Sequence, residues 1–237
     1  MNLIIENIWW AYAAYVGIFT VYLILVFLAV KLSSIKHFGR KLTHIGSGTI
    51  MVLCARLHYT SKFQWRLLLA SVPFGSSLLI LGMVTKIIKF PLFQRIMSRE
   101  NGLHDLIRGP LIYGFCMGIA ALFFINDIAG LLSVAVLCFG DGFAEIFGSN
   151  LGKKKWWFSE KKSYVGTIAF AVCSVLGSMF FLWYFNSNLT LTTLWKLAAV
   201  AVISGVIEIF DPKGFDNASV YLSGLLFGHI FFGTEFF

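Results

Sequence analysis

The chain is 237 residues long, 58% apolar, 17% aromatic and only 13% charged, with a formal net charge of +8, whereas an ordinary soluble domain carries roughly 25% charged residues. A bilayer-spanning helix takes about 20 residues, so eight spans would use about 160 and leave no room for a separate soluble domain. A cytosolic enzyme with a membrane anchor, a disordered chain and a disulfide-stapled secreted module are excluded, and any active site is expected on the membrane helices themselves.

In chain order, apolar runs broken at charge clusters predict spans over about 9–30, 42–57, 67–88, 109–125, 128–147, 166–185, 194–210 and 218–236. Seven is the alternative count, because the second run is short and the fourth and fifth are tightly joined. The expected class is an all-α, polytopic integral membrane protein with about eight transmembrane helices, forming a single membrane-embedded domain over residues 1–237. The first span is expected to stay in the mature protein, since Glu6 precedes it and Lys31, Lys36, Arg40 and Lys41 follow it.

Numbering the loops alternately sorts the basic residues. One side receives Lys31, Lys36, Arg40, Lys41, Lys86, Lys89, Arg95, Arg99, Arg108, Lys153, Lys154, Lys155, Lys161, Lys162 and Lys213; the other receives Arg56, Lys62, Arg66 and Lys196. That bias places the first set in the cytoplasm and both chain ends on the opposite face, and it accounts for the basicity without nucleic acid. Neither end reads as a plastid transit peptide or an ER retrieval signal, which fits an ER membrane and a bacterial inner membrane equally. Cys54, Cys116, Cys138 and Cys173 each stand alone in apolar runs and read as small buried hydrophobes.

Charged groups within spans are costly and call for a partner or a function. Asp141, Glu145 and Glu208 are such groups, with Asp211, Asp216 and Asn217 following Glu208 at once. The richest stretch runs from Gly140 to Gly166, GDGFAEIFGSNLGKKKWWFSEKKSYVG. On a helix, Asp141, Glu145, Gly148 and Gly152 share one stripe. A hard cation such as Mg²⁺ takes a few carboxylate oxygens plus phosphate oxygens, and bare glycines admit something bulky, a helix or a nucleotide. Lys161, Lys162 and Ser163 stand at the start of the next span, where free N–H groups and the helix dipole attract phosphate. Together these describe a metal–polyphosphate site.

Simpler readings exist for each part. Lysines beside a span can be a topology signal or a contact for anionic lipid, Asp141 and Glu145 could pair with Arg40 or Arg108 as scaffold, and Gly114 with Gly118, or Gly148 with Gly152, could serve helix packing. Two more clusters lie on the same predicted face. Arg40, Lys41 and His44 open the second span, and Arg108, Gly109 and Pro110 open the fourth, with Pro110 suited to a first helical position. Arg offers phosphate a bidentate fork and Lys a point charge. A lone histidine near a helix end is usually a packing residue, and of the five only His44, one turn from Arg40, stands as a functional candidate.

The stretch D-x-x-A-x-x-x-G-x-x-x-G followed by S-x-K-K-S-x-x-G, from Asp141 to Gly166, resembles the signature of the CTP-using membrane transferases, which include phosphatidate cytidylyltransferases and polyprenol and dolichol kinases. Within that group the chain looks like the CTP-dependent polyprenol kinases, the phytol, farnesol and dolichol kinases, with the CTP-dependent diacylglycerol kinases close by. The further matches are Arg40-Lys41-Leu42-Thr43-His44, Arg108-Gly109-Pro110-Leu111 with Tyr113 shortly after, and the segment from Glu208 to Asn217. The motif-bearing core covers about residues 40–222. Where cytidylyltransferases have Pro after the serine and Glu before the last glycine, this chain has Glu160 and Val165; where the kinases often have D-D-N, it has Phe215-Asp216-Asn217.

The resemblance implies a kinase that transfers the γ-phosphoryl group of CTP, with Mg²⁺, to the hydroxyl of a membrane isoprenoid alcohol (phytol, farnesol, geranylgeraniol or dolichol) or of diacylglycerol. The residues expected to act in catalysis are Asp141, Arg40, Lys41, His44 and Glu208. Nucleotide binding falls to Arg108, Gly148, Gly152, Lys161, Lys162, Ser163 and Gly166, and the metal to Asp141, Glu145 and Asp216, with the choice between Asp211 and Asp216 open. The base is Asp141, Glu208 or His44. A CDP-lipid synthase of the phosphatidate cytidylyltransferase type is the enzyme alternative. A transporter is the other, disfavoured because the polar groups crowd toward one face and the halves do not repeat.

Overall fold

The structure is a computed structural model that describes residues 4–32, 38–97, 103–159, 161–211 and 215–234. Lys36, Arg99, Glu160 and Lys213, used above for topology and motif, lie outside these. Among the described residues every regular element is helical, and an isolated antiparallel bridge joins Lys155 to Ser163. The chain forms two compact units, Met1–Ile125 and Asn126–Phe237.

The first unit holds α1 (Ile8–Leu32), α2 (Phe38–Ala55), α3 (Phe63–Val84), α4 (Pro91–Met97) and α5 (Leu103–Leu106), followed by a helix in three parts: π1 (Ile107–Leu111), α6 (Ile112–Ile119) and π2 (Ala120–Phe124). Small residues let these helices approach closely. A Cβ on Gly114 would stand 3.0 Å from the Pro73 carbonyl oxygen, and one on Gly118 would overlap the Phe74 ring, so both glycines serve the packing of α6 on α3. Tyr22 of α1 fills the notch at Gly46 and donates its hydroxyl to the Leu42 carbonyl at 2.5 Å. Pro110 does not open a helix as its sequence position suggests. It lies inside one, because the chain is already helical from Leu103; lacking an N–H, it cannot close the ordinary i→i−4 bond, and the turn widens to the π form around Gly109-Pro110.

The second unit holds α7 (Ile128–Ala135), π3 (Val136–Asp141), α8 (Gly142–Asn150), α9 (Tyr164–Tyr184), α10 (Leu191–Phe210) and α11 (Asp216–Phe232). All eight residues of α7 are buried, which makes it the unit's central helix. It meets α11 backbone to backbone: a Cβ on Gly224 would come within 2.8 Å of the Ser133 Cα, and one on Gly228 within 2.8 Å of the Ala129 Cα. Asp127 caps α7, accepting from the Gly130 N–H at 2.5 Å, with His229 Nε2 3.7 Å away. Burial raises the pKa of this carboxyl, against the Gly130 amide and His229, which lower it. The folded chain therefore holds that proton more firmly than the unfolded one, so the group favours the fold in acid and loses that contribution as pH climbs through the carboxylate range.

Among the described residues, six helices are long and apolar enough to cross a membrane: Ile8–Lys31, Phe63–Val84, Ile107–Phe124, Ile128–Asn150, Tyr164–Tyr184 and Leu191–Phe210. They match six of the eight predicted spans. The other two fall on α2, 18 residues long with Arg40 and Lys41 in its first turns, and on α11, 17 residues long; at 1.5 Å per residue α11 reaches about 25 Å against a hydrocarbon core of about 30 Å.

Candidate active site

In the second unit three of the acidic candidates act on one lysine. Asp141 is the last residue of π3, Glu208 sits in the last turn of α10 and Asp216 opens α11. Asp141 and Glu208 are each only 5% exposed. Lys162, arriving from the loop before α9, donates its ammonium to Glu208 Oε1. Burial pushes the Lys162 pKa down, but the Glu208 carboxylate, followed by Asp141 and Asp216, more than reverses this, and the ammonium is held above its ordinary range. Lys162 thus pairs with Glu208 at the end of α10, and Asp141, within the continuous Ile128–Asn150 helix, and Asp216, at the start of α11, act on the same charge. Asp211 accepts from the Ser219 hydroxyl, so the two aspartates of the closing motif do different things: Asp211 ties the end of α10 to α11, and Asp216 lies by Lys162. Glu145, half buried, stands one turn beyond Asp141 in α8.

The glycines of the motif have a defined use. Ser163 caps α9, accepting from the Gly166 N–H at 3.1 Å. Around it, a Cβ on Gly148 would come 3.3 Å from the Gly166 Cα, and one on Gly166 would come 3.1 Å from the Ala144 carbonyl oxygen. Gly152 lies just past the end of α8, where a Cβ would overlap the Ser163 hydroxyl and the Gly148 carbonyl. The bulky partner these glycines admit is the start of α9. Gly152→Ala should therefore lower stability by about 1–3 kcal/mol, as overpacking does, and reduce activity with it through displacement of the segment carrying Lys162; thermal unfolding in detergent checks this, and an unchanged midpoint would show that the contact has room to relax.

Arg40, Lys41 and Arg108, with His44, gather in the first unit. Lys41 is 2% exposed, and the ring of His44 packs on Tyr113 with centroids 4.2 Å apart. The Tyr113 hydroxyl donates to the His44 carbonyl at 2.6 Å and lies 3.1 Å from the Ser47 hydroxyl, so the tyrosine after Arg108-Gly109-Pro110 locks that helix to the Arg40-Lys41 helix. The Arg40 guanidinium lies beside Gly109, where a Cβ would stand 3.8 Å from Nη1. Two motifs 68 residues apart, to judge from Arg40 and Arg108, are in this way one cluster, with Arg108 exposed at its edge.

Among the described residues, no three His, Cys, Asp or Glu side chains are close enough to hold a metal ion by themselves. Mg²⁺ usually binds through one or two carboxylates and takes its remaining ligands from substrate phosphates and water. The carboxylates around Lys162 suit an ion that arrives with a nucleotide. Sequence reasoning missed the Lys162–Glu208 pair, although a carboxylate alone in an apolar run demands a cation, and it did not see why Tyr113 accompanies the Arg-Gly-Pro segment.

No protein-family model and no solved structure matches the chain. Curated proteins do. It is 31% identical over 82% of its length to "Probable phytol kinase 3, chloroplastic" of Glycine max, covering 63% of that protein. It is 30% identical over 84% of its length to "Phytol kinase 1, chloroplastic" of Arabidopsis thaliana, covering 67%, and 26% identical over 81% to "Farnesol kinase, chloroplastic" of the same plant, covering 65%. The chain spans about two thirds of the length of these relatives. With 30% identity sustained over two thirds of a phytol kinase and over most of its own length, the chain belongs to the phytol kinase family.

Proposed function

We propose that the chain transfers the γ-phosphoryl group of CTP to the hydroxyl of a membrane-dissolved isoprenoid alcohol. The observation that carries this is the Lys162–Glu208 ion pair among apolar helices, with Asp141 and Asp216 near enough to act on the same lysine, in a chain whose relatives are named phytol and farnesol kinases. Phosphoryl transfer asks a protein for positioning and charge neutralisation more than for covalent chemistry. Mg²⁺, held by Asp141 with Glu145 or Asp216, would neutralise phosphate charge when bound. Phosphate binding is assigned to Arg40, Lys41 and Arg108 in the first unit and, in the second, to Lys162 and the Ser163 segment that Gly148, Gly152 and Gly166 let pack against α8; Lys161 is not counted among these groups. The alcohol oxygen attacks the γ-phosphorus, the bond to the β-phosphate oxygen breaks, CDP leaves, and the alcohol proton passes to a base, Asp141, Glu208 or His44. In this reading α2 and α11 also cross the bilayer, giving eight spans with the site on the cytoplasmic face and both ends on the other.

The test is a transfer assay on the full chain in lipid–detergent micelles with Mg²⁺, γ-labelled CTP or ATP, and a panel of prenols and diacylglycerol. Label entering a prenol phosphate from CTP is the expected result. Label from ATP alone would replace the donor, and pyrophosphate released from CTP on adding phosphatidate would replace the kinase with a cytidylyltransferase.

A further inference from the structure

The loop from Leu151 to Ser163 joins two helices of crossing length, one ending at Asn150 and the other opening at Tyr164, so its described residues lie within a short reach of a membrane surface. It is a built loop. The Trp156 amide donates to the Lys162 carbonyl at 3.0 Å, and the Tyr164 amide to the Lys154 carbonyl at 3.2 Å. The Trp156 indole N–H donates to the Thr167 hydroxyl at 3.0 Å while its ring packs on Tyr164 with centroids 4.1 Å apart. Phe158 stacks on Phe210, the last residue of α10, with centroids 5.0 Å apart and planes within 9°. Held between these two anchors, Trp157 is 88% exposed.

The lysines are sorted by the same geometry. Lys162 turns inward to Glu208, whereas Lys153, Lys154, Lys155 and Lys161 are exposed. A large indole held out by its two neighbours, at the ends of membrane helices and among four exposed lysines, one of which, Lys154, lays its ammonium over the Tyr164 ring at 5.3 Å, has the chemistry of an interfacial anchor: the amphipathic ring favours headgroup depth, and the lysines favour an anionic leaflet within a Debye length of about 8–10 Å. We propose that Trp157 with Lys153, Lys154, Lys155 and Lys161 docks on the anionic headgroup layer of the membrane in which the chain sits, and so sets the depth of the loop that delivers Lys162. This does not rest on the kinase reading, and it takes these four lysines out of direct service to a nucleotide.

The test places the full chain in lipid nanodiscs and reads the tryptophan emission that is lost on Trp157→Phe, a change at an exposed ring whose folding is checked by far-UV circular dichroism. Nanodiscs of phosphatidylcholine alone are compared with nanodiscs containing phosphatidylglycerol, each with lipids brominated near the glycerol. The expected result is quenching of the Trp157 emission that is about twofold or more stronger with the anionic lipid, and a loss of that difference in Lys153→Gln/Lys154→Gln/Lys155→Gln. Emission quenched by aqueous iodide but untouched by lipid bromine would overturn the proposal. So would equal quenching in both lipids, or emission that responds to CTP with Mg²⁺ and not to lipid, which would assign the loop to the nucleotide.

Discussion

Asp141→Asn is expected to lower phosphoryl transfer by about 100- to 1000-fold or more, the scale on which removal of one group that stabilises transition-state charge is felt, while the protein still inserts and folds. The substitution keeps the shape of the side chain and removes only its charge. At 5% exposure, among groups gathered around Lys162, that charge is poorly screened, so its loss should register in turnover above all. The measurement is the labelled-prenol assay beside a melting curve in the same detergent. Near-normal turnover would remove Asp141 from the metal ligands. Asp127→Asn serves as the control on the same continuous helix, because Asn caps a helix as well as Asp does and Asp127 caps the start of Ile128–Asn150, 14 residues before Asp141.

Lys162→Met is expected to be the most destabilising single change in the second unit, by about 3–5 kcal/mol, the range for a buried ion pair that loses one partner. The reason is arithmetic of charge: Glu208 loses its hydrogen-bonded counterion and is left facing the like charges of Asp141 and Asp216, on which Lys162 also acts. With side-chain exposures of 27% for Lys162 and 7% for Glu208, the pair is too sheltered for the near-zero worth of surface salt bridges. The double variant Lys162→Met/Glu208→Leu should recover part of the loss, because removing both partners relieves the uncompensated charge, and the double-mutant cycle isolates the coupling. Lys161→Met, one residue away but exposed, should leave the melting temperature nearly unchanged. If Lys162→Met proved equally harmless, the convergence of carboxylates would have no structural weight.

Composition and apolar run length were enough to read an all-helical membrane chain, and six of the eight runs carry helices of crossing length. The misplacement of Pro110 shows where that reading stops. A proline after an Arg-Gly pair looks like a helix start, but the preceding Leu103–Leu106 turn is already helical, and whether a short turn joins the next helix depends on packing. The glycine stripe was legible as a place of close approach; that α9 itself makes the approach was not, because a stripe says which residues share a face and not what meets it.

The sequence by itself determined the family of chemistry: lone carboxylates in apolar runs, their spacing to glycines, lysines and a capped helix, and the order of the Arg-Lys, Arg-Gly-Pro and Asp-Asn segments. Those are local periods and local chemistry, and they survive in one dimension. The tertiary structure alone decided which of five lysines in Lys153–Lys162 turns inward, that Asp216 and not Asp211 stands by it, that Tyr113 locks Arg108's helix to Arg40's, and that Trp157 is held outward. The physical reason is common to all four. Neighbouring residues of one type are equivalent until the backbone aims each in a direction, and that aim is set by hydrogen bonds and ring contacts to elements far away in the chain.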